Sequence, residues 1–158
     1  GHNRKNALVI VVFKRESAFM PTSKKKILQH LESEVFCKLG VSPIHGIGVF
    51  AVRPISKGVN PLKSYLHFKE IDIDKKDIKH LPKGVRSQID MFCFYDRKSV
   101  SIPSIGLNSF DLAIFLNHSK QPNLRFKKNG ALESLAHIAE GEELFIDYDI
   151  SFGEKHYF

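Results

Sequence analysis

What the chain lacks narrows its class before any motif is read. Its 158 residues include two cysteines, Cys37 and Cys93. Two such residues form no disulfide framework, and no Cys-x-x-Cys metal knuckle is present. Both lie in apolar, strand-like runs and read as buried, reduced thiols, which fits a reducing intracellular compartment. Long hydrophobic runs are absent too. The longest, Ala7 to Phe13, has seven residues, against about 20 for a membrane-spanning helix. Lys14-Arg15 close that run and no cleavage site follows, so it does not read as a signal peptide. Internal repeats and low-complexity tracts are missing. Gly1-His2 reads as an expression remnant and is set aside.

What remains is the composition of one globular domain. Hydrophobic residues make up 42% and charged residues 26%, and 158 residues suffice to bury a core. The formal charge is +7, and it is unevenly placed. Residues 1–40 hold eight Lys/Arg against three Asp/Glu, and residues 41–158 hold sixteen against fourteen. Such a basic extension reads as a solvated face or as a contact for nucleic acid or another acidic surface.

Along the chain, Ala7 to Phe13 suggests a short strand or extended arm. Ser23 is placed to cap a helix running to about Ser33, with Ile27, Leu28 and Leu31 on one face and Lys24 to Lys26 on the other. From Val35 the texture changes to short β-type segments. Strands are expected at Val35 to Leu39 and Gly48 to Val52, flanking a Ser42 to Gly46 turn, and another is suggested at Tyr65 to Phe68. Asp72 to Lys83 reads as a solvated helix or loop insertion. Gln88 to Tyr95 and Ser99 to Ile102 are expected as strands around an Asp96-Arg97-Lys98 turn. A buried strand from Phe110 to Leu116 leads into FLNHSKQPN (Phe115 to Asn123). Leu132 to Ile138 and a strand from Glu143 ending on Tyr148 close the sheets. The expected architecture is mostly β, with a short N-terminal helical extension.

Three ordered segments carry the chemistry: VSPIHGIGVFAVRPISKG (Val41 to Gly58), FLNHSKQPN and GEELFIDYD (Gly141 to Asp149). Each alone is an ordinary turn with flanking strand. Together they resemble the signature motifs of the SET-domain protein lysine methyltransferases. The resemblance implies a SET (β-clip) fold of several small sheets with a C-terminal pseudoknot that brings Asn117 and Tyr148 together. It also implies three regions: an extension over 1–34, a SET domain over 35–150 and a tail over 151–158. The variable insert between the first two motifs often helps choose the peptide substrate in that family.

The implied reaction moves a methyl group from S-adenosyl-L-methionine to a lysine amine by in-line displacement, leaving S-adenosyl-L-homocysteine. Gly46, Ile47 and Gly48 would let backbone approach the cofactor, with Asn117 and His118 anchoring its amino-acid end and adenine. Tyr148 would orient the amine and touch the cofactor as the catalytic residue. Tyr65, Phe115 and Ile146 are weaker candidates for the lysine channel, Tyr95 is weaker still, and Phe50 is a candidate pocket wall. The tail from Phe152 to Phe158 is a candidate channel cover. Lys120 stands where zinc-dependent relatives carry cysteine, and no cysteine cluster follows Tyr148, so no metal is expected. Val59-Asn60 departs from the family's more usual acidic residue.

The implied partner is a protein presenting a lysine, a histone tail above others. Chromatin or DNA contact through the basic extension is open, and no membrane contact is expected. The resemblance leans to the nucleus, with the cytoplasm left open. Three rivals stand beside the histone reading: a methyltransferase of another protein, a catalytically silent module that binds peptide or chromatin, and a basic nucleic-acid-binding domain.

Overall fold

The computed structural model of the chain describes residues 23–64 and 68–152. The chain divides into two compact units, Gly1–Val35 and Phe36–Phe158. In the first, helix α1 (Lys24–Ser33) starts where expected, because the Ser23 hydroxyl accepts the Lys26 N–H at 3.2 Å and satisfies a donor that the first turn leaves unpaired. At its other end the Glu34 N–H donates to the His30 carbonyl at 2.8 Å. Ile27, Leu28 and Leu31 are exposed. The run Ala7 to Phe13 lies outside the described residues.

The second unit is mostly β, as expected, with nine short strands among the described residues. In chain order these are β1 (Cys37–Val41), β2 (Ile47–Ala51) and β3 (Glu70–Asp74), a 3-10 turn (Lys75–Ile78), helix α2 (Lys83–Phe92), β4 (Phe94–Tyr95) and β5 (Ser99–Pro103). A second 3-10 turn (Leu112–Phe115) leads to β6 (Asn117–His118), followed by β7 (Leu124–Phe126), β8 (Leu132–Ser134), β9 (Glu143–Ile146) and helix α3 (Tyr148–Phe152). Three small sheets result, ordered β1-β2-β9-β6, β3-β5-β4 and β7-β8. All neighbours are antiparallel except β6 and β9, which run parallel. That parallel pair decides the site, because it sets the Asn117 segment directly beside the strand that precedes Tyr148.

Period-2 alternation buries Val49 and Ala51 of β2. They join Ile55, Leu116, Leu124, Ile138, Leu144 and Ile146 in one core. Each valine, leucine or isoleucine of this set contributes about 1.5–3 kcal/mol by leaving water, and the set joins all three motif segments. A smaller core of Ile89, Cys93 and Val100 holds α2 to the β3-β5-β4 sheet. Val59-Asn60 is built into the fold: Val59 N–H donates to Ser134 Oγ at 3.1 Å, and Asn60 Oδ1 accepts the Leu62 N–H at 3.1 Å.

Several expectations need correction. Gln88 to Tyr95 is not one strand: α2 runs to Phe92 and only Phe94–Tyr95 is extended. Val85, Ile89 and Phe92 fall at helical spacing, and Ile89 is the one that α2 buries. The Asp96 to Lys98 turn does join β4 to β5, with Asp96 Oδ1 accepting the Lys98 and Ser99 N–H groups at 2.7 Å each. Phe110 to Leu116 is not a strand either. The Asp111 carboxylate accepts the Ala113 N–H at 3.0 Å and winds a 3-10 turn. Asp72 to Lys83 holds the end of β3 and the first 3-10 turn. The last strand stops at Ile146, and Tyr148 opens α3. Of the strand suggested at Tyr65 to Phe68, residues 65–67 lie outside the described residues and Phe68 is not in a strand.

Candidate active site

Three segments distant in sequence meet where β2, β9 and β6 lie side by side. The first is the turn joining β1 to β2. Ser42 shapes it, its Oγ accepting the N–H groups of Ile44 (3.1 Å) and His45 (3.2 Å) while its own N–H donates to the Gly46 carbonyl at 2.8 Å. Gly46 has φ +53°, a left-handed value that a Cβ penalises. A Cβ there would meet nothing within 4 Å, so the main chain is open to close approach. Gly48 differs, because a Cβ there would stand 2.1 Å from Glu143 Oε1. Only glycine leaves room for that carboxylate.

Glu143 is the hub of the site. It is buried, and it accepts Ser42 Oγ at 3.0 Å and Asn117 Nδ2 at 2.8 Å. Asn117 Nδ2 also faces the carbonyls of His45 (3.1 Å) and Ile47 (3.3 Å). An amide nitrogen has two hydrogens for these three acceptors, so one is shared. The buried amide thereby fixes the Gly46-containing turn to the third segment. Asn123 grips β9 from the other direction, its Nδ2 donating to Glu143 O and its Oδ1 accepting the Phe145 N–H, both at 2.8 Å.

β6 sets Asn117 opposite Phe145 and His118 opposite Ile146. His118 Nδ1 accepts the Tyr148 N–H at 3.0 Å, which leaves the proton of the neutral ring on Nε2. The two rings lie 5.3 Å apart. The Tyr148 hydroxyl donates to the Leu116 carbonyl in a close contact. Burial pushes the phenol above its ordinary value, so it is neutral at physiological pH.

Lys120 sits across from this turn. Its ammonium meets Asp147 at 3.3 Å and is closer still to Asp149. The bond to Asp149 is the main cause holding the amine above the usual lysine range. Burial pushes the Asp147 carboxyl up, but hydrogen bonds from Lys120 and from the Ile150 and Asp149 N–H groups outweigh it, and the carboxyl ends below its usual range. His118, Asp147 and Asp149 bring ligand-type atoms within 4.8 Å of one another, with the Lys120 ammonium supplying a positive charge to the two carboxylates.

A cavity of about 760 Å³ has Tyr148, Ile146 and Leu116 in its wall. Much of the remaining wall comes from the insert that carries β3, α2, β4 and β5. Gly46, Ile47, Gly48, Asn117 and His118 do not line it. The residues named from the sequence therefore form two groups, a turn-and-amide group and a cavity group, and Tyr148 belongs to both.

Phe115 is not in the cavity wall. It packs on Phe92 and Phe110, with ring centres 5.4 and 6.2 Å away, and those two rings do line the cavity. Phe50 lies over Gly40, where a Cβ would come within 2.9 Å of its ring. Tyr65 and the tail beyond Phe152 lie outside the described residues. Cys37 and Cys93 are buried free thiols, as expected. Burial pushes Cys37 up to about 12 and also raises Cys93, to which the Glu70 charge adds. Ser42, Asn123 and Glu143 received no role in the sequence reading. Their partners lie too far along the chain for local spacing to show.

The SET-domain family model matches residues 46–149, about two-thirds of the chain. This chain belongs to the SET-domain family. Family membership marks the domain as a methyltransferase of the protein lysine class. No curated protein matches the chain. Among solved structures, this SET domain is similar to a Plasmodium falciparum protein provisionally described as a histone methyltransferase. The identity is 18% and the TM-score 0.44, over 76% of this chain and 98% of that one. A likeness of that degree transfers no activity.

Proposed function

We propose that this SET domain is an S-adenosylmethionine-dependent protein lysine N-methyltransferase that modifies a histone lysine in the nucleus by in-line transfer. One observation carries the reading: Tyr148 is bonded through its backbone to His118 and is also part of the cavity wall. It stands between the turn-and-amide group, where a cofactor would lie, and a cavity fit for a lysine.

The residues present suit that cofactor. Gly46 offers open main chain, and the Asn117 amide holds the carbonyls on either side of it in fixed positions. When bound, the cofactor supplies a methyl group activated by its sulfonium. The remaining tasks belong to the chain. A free lysine titrates near about 10.4, so its amine must lose a proton to solvent water before it can attack. Buried Leu116 and Ile146 beside Tyr148 make an apolar end to the cavity, which favours the neutral amine. The Tyr148 phenol cannot take that proton, because burial keeps it protonated. Its own proton points at the Leu116 carbonyl, so toward an amine N–H the phenol oxygen acts as an acceptor. That fixes the direction of the nitrogen lone pair, and alignment is where most of the acceleration arises.

The test is transfer of labelled methyl from S-adenosylmethionine to core histones and to a total protein extract, comparing wild type with Tyr148→Phe and Asn117→Ala. Label on a lysine that disappears in both variants supports the proposal. Label on other proteins but never on histones removes the histone part. Absence of cofactor binding to the wild-type chain overturns the reading of the Gly46 turn and Asn117.

A further inference from the structure

The cavity beside Tyr148 opposes the charge of the chain that carries it. The molecule has a formal net charge of +7 and 24 Lys/Arg residues. Among the described residues that line the cavity there is no lysine, arginine or histidine, while Glu70, Asp90 and Asp111 are present. Asp111 is already committed to capping the Leu112–Phe115 turn. Glu70, on β3, and Asp90, on α2, make no ion pair among the described residues. Both are exposed, so water and a ligand can reach them. Aromatic rings fill much of the wall around them, among them Phe68, Phe92, Phe94 and Phe110. Carboxylates beside aromatic faces favour a cation twice over, by Coulomb attraction and by the ring quadrupole.

We propose that Glu70 and Asp90 select a peptide carrying a second positive side chain close to the lysine that reaches Tyr148. The inference rests on the methyltransferase reading for the identity of that first lysine. The two cations are served by different parts of the cavity. Leu116, Ile146 and Tyr148 come from the motif segments and make an apolar end. Glu70 and Asp90 come from the insert, where a flanking arginine or lysine can stay charged. A guanidinium fits best, since its planar fork pairs with a carboxylate and its face stacks on a ring. Partial desolvation and the nearby Asp72 charge push the Glu70 carboxyl up, and an arriving cation offsets the repulsion from Asp72 by Coulomb attraction. Nucleic acid is the wrong occupant, because phosphate would meet uncompensated carboxylates.

The experiment measures binding to the whole chain by fluorescence anisotropy, so its result does not depend on turnover. The probes are labelled peptides of one length with a single central lysine, flanked on one side by arginine, by glutamine or by glutamate. The arginine peptide is expected to bind about fivefold tighter than the glutamine peptide, the glutamate peptide is weakest, and added salt narrows the gap. In Glu70→Gln/Asp90→Asn the ratio should fall towards one. Glu140→Gln, an exposed carboxylate outside the cavity wall, should leave the ratio unchanged. Equal affinities in the wild type overturn the proposal, and so does a preference that survives the double variant. Methyl transfer is followed on the same peptides. Transfer without a flanking-charge preference sinks this proposal and keeps the methyltransferase reading. A preference without transfer does the reverse.

Discussion

At the scale of single residues, two glycines separated by one isoleucine are glycine for different reasons. Gly46 is required by its backbone, with φ +53° and open space where a side chain would be. Gly48 is required by what lies over it, the Glu143 carboxylate. The contrast predicts different outcomes for the same substitution. Gly46→Ala should cost about 1 kcal/mol of left-handed strain and weaken cofactor binding more than it weakens the fold. Gly48→Ala should cost about 1–3 kcal/mol by overpacking, read as a lower urea midpoint. Because the clash is with one named group, Gly48→Ala/Glu143→Ala should be less destabilised than the sum of the two single variants. Full additivity would show that the tight contact has another partner. Tyr148→Phe belongs at this scale as well. If, as proposed, its oxygen orients the amine, removing that oxygen without removing the ring should lower kcat about 100-fold and leave the peptide KM nearly unchanged. A large rise in KM instead would make Tyr148 a binding group.

At the scale of elements, the turn after β6 is tied to the start of α3 through Lys120, Asp147 and Asp149. The Asp147 carboxyl titrates below its unfolded value, so its contribution to stability is complete above about pH 4 and is lost as pH falls through the lower, folded value. The urea midpoint should therefore drop on acidification. Asp147→Asn and Lys120→Met should both lower it at neutral pH and flatten the acid limb. An unchanged acid limb in Asp147→Asn would assign the pH dependence to other carboxylates. This scale also shows what could be read from the sequence. The β1–β2 hairpin, the turn between β4 and β5 and the Ser23 cap are written in local turn and cap chemistry, and they form within a residue or two of where that chemistry puts them. Gln88 to Tyr95 misled because a short apolar run fits strand and helix alike, and the helical spacing shows only when the window starts at Lys83. Phe110 to Leu116 and the end of β9 misled because Asp111 and Asp147 each fold back on the next N–H groups. The motif residues around Asn117 and Tyr148 were legible as a resemblance. Their assembly was not, since the hydrogen bond from Ser42 to Glu143 spans 101 positions.

At the scale of the whole molecule, the distribution of charge makes its own prediction. Most of the basic surplus lies in residues 1–40, where Lys24, Lys25 and Lys26 follow one another at the start of α1. The cavity lining is acidic. A nucleosome offers both complements, an anionic polymer and cationic tails, whereas a free tail peptide offers only the second. Substituting Lys24, Lys25 and Lys26 together by glutamine keeps the chain whole and removes three positive charges far in sequence from every residue placed at the site. On a free peptide, the methylation rate should then be unchanged. On nucleosomes, the KM should rise several-fold, and the slope of log affinity against log salt should become shallower by up to about three. Glu70→Gln/Asp90→Asn should weaken both substrates if, as proposed, the tail docks in the cavity in either case. Equal losses on peptide and nucleosome after the lysine substitutions would show that these lysines support the domain and do not contact DNA. With the free peptide unaffected and the nucleosome impaired, the basic extension serves recruitment and the acidic cavity serves choice of lysine.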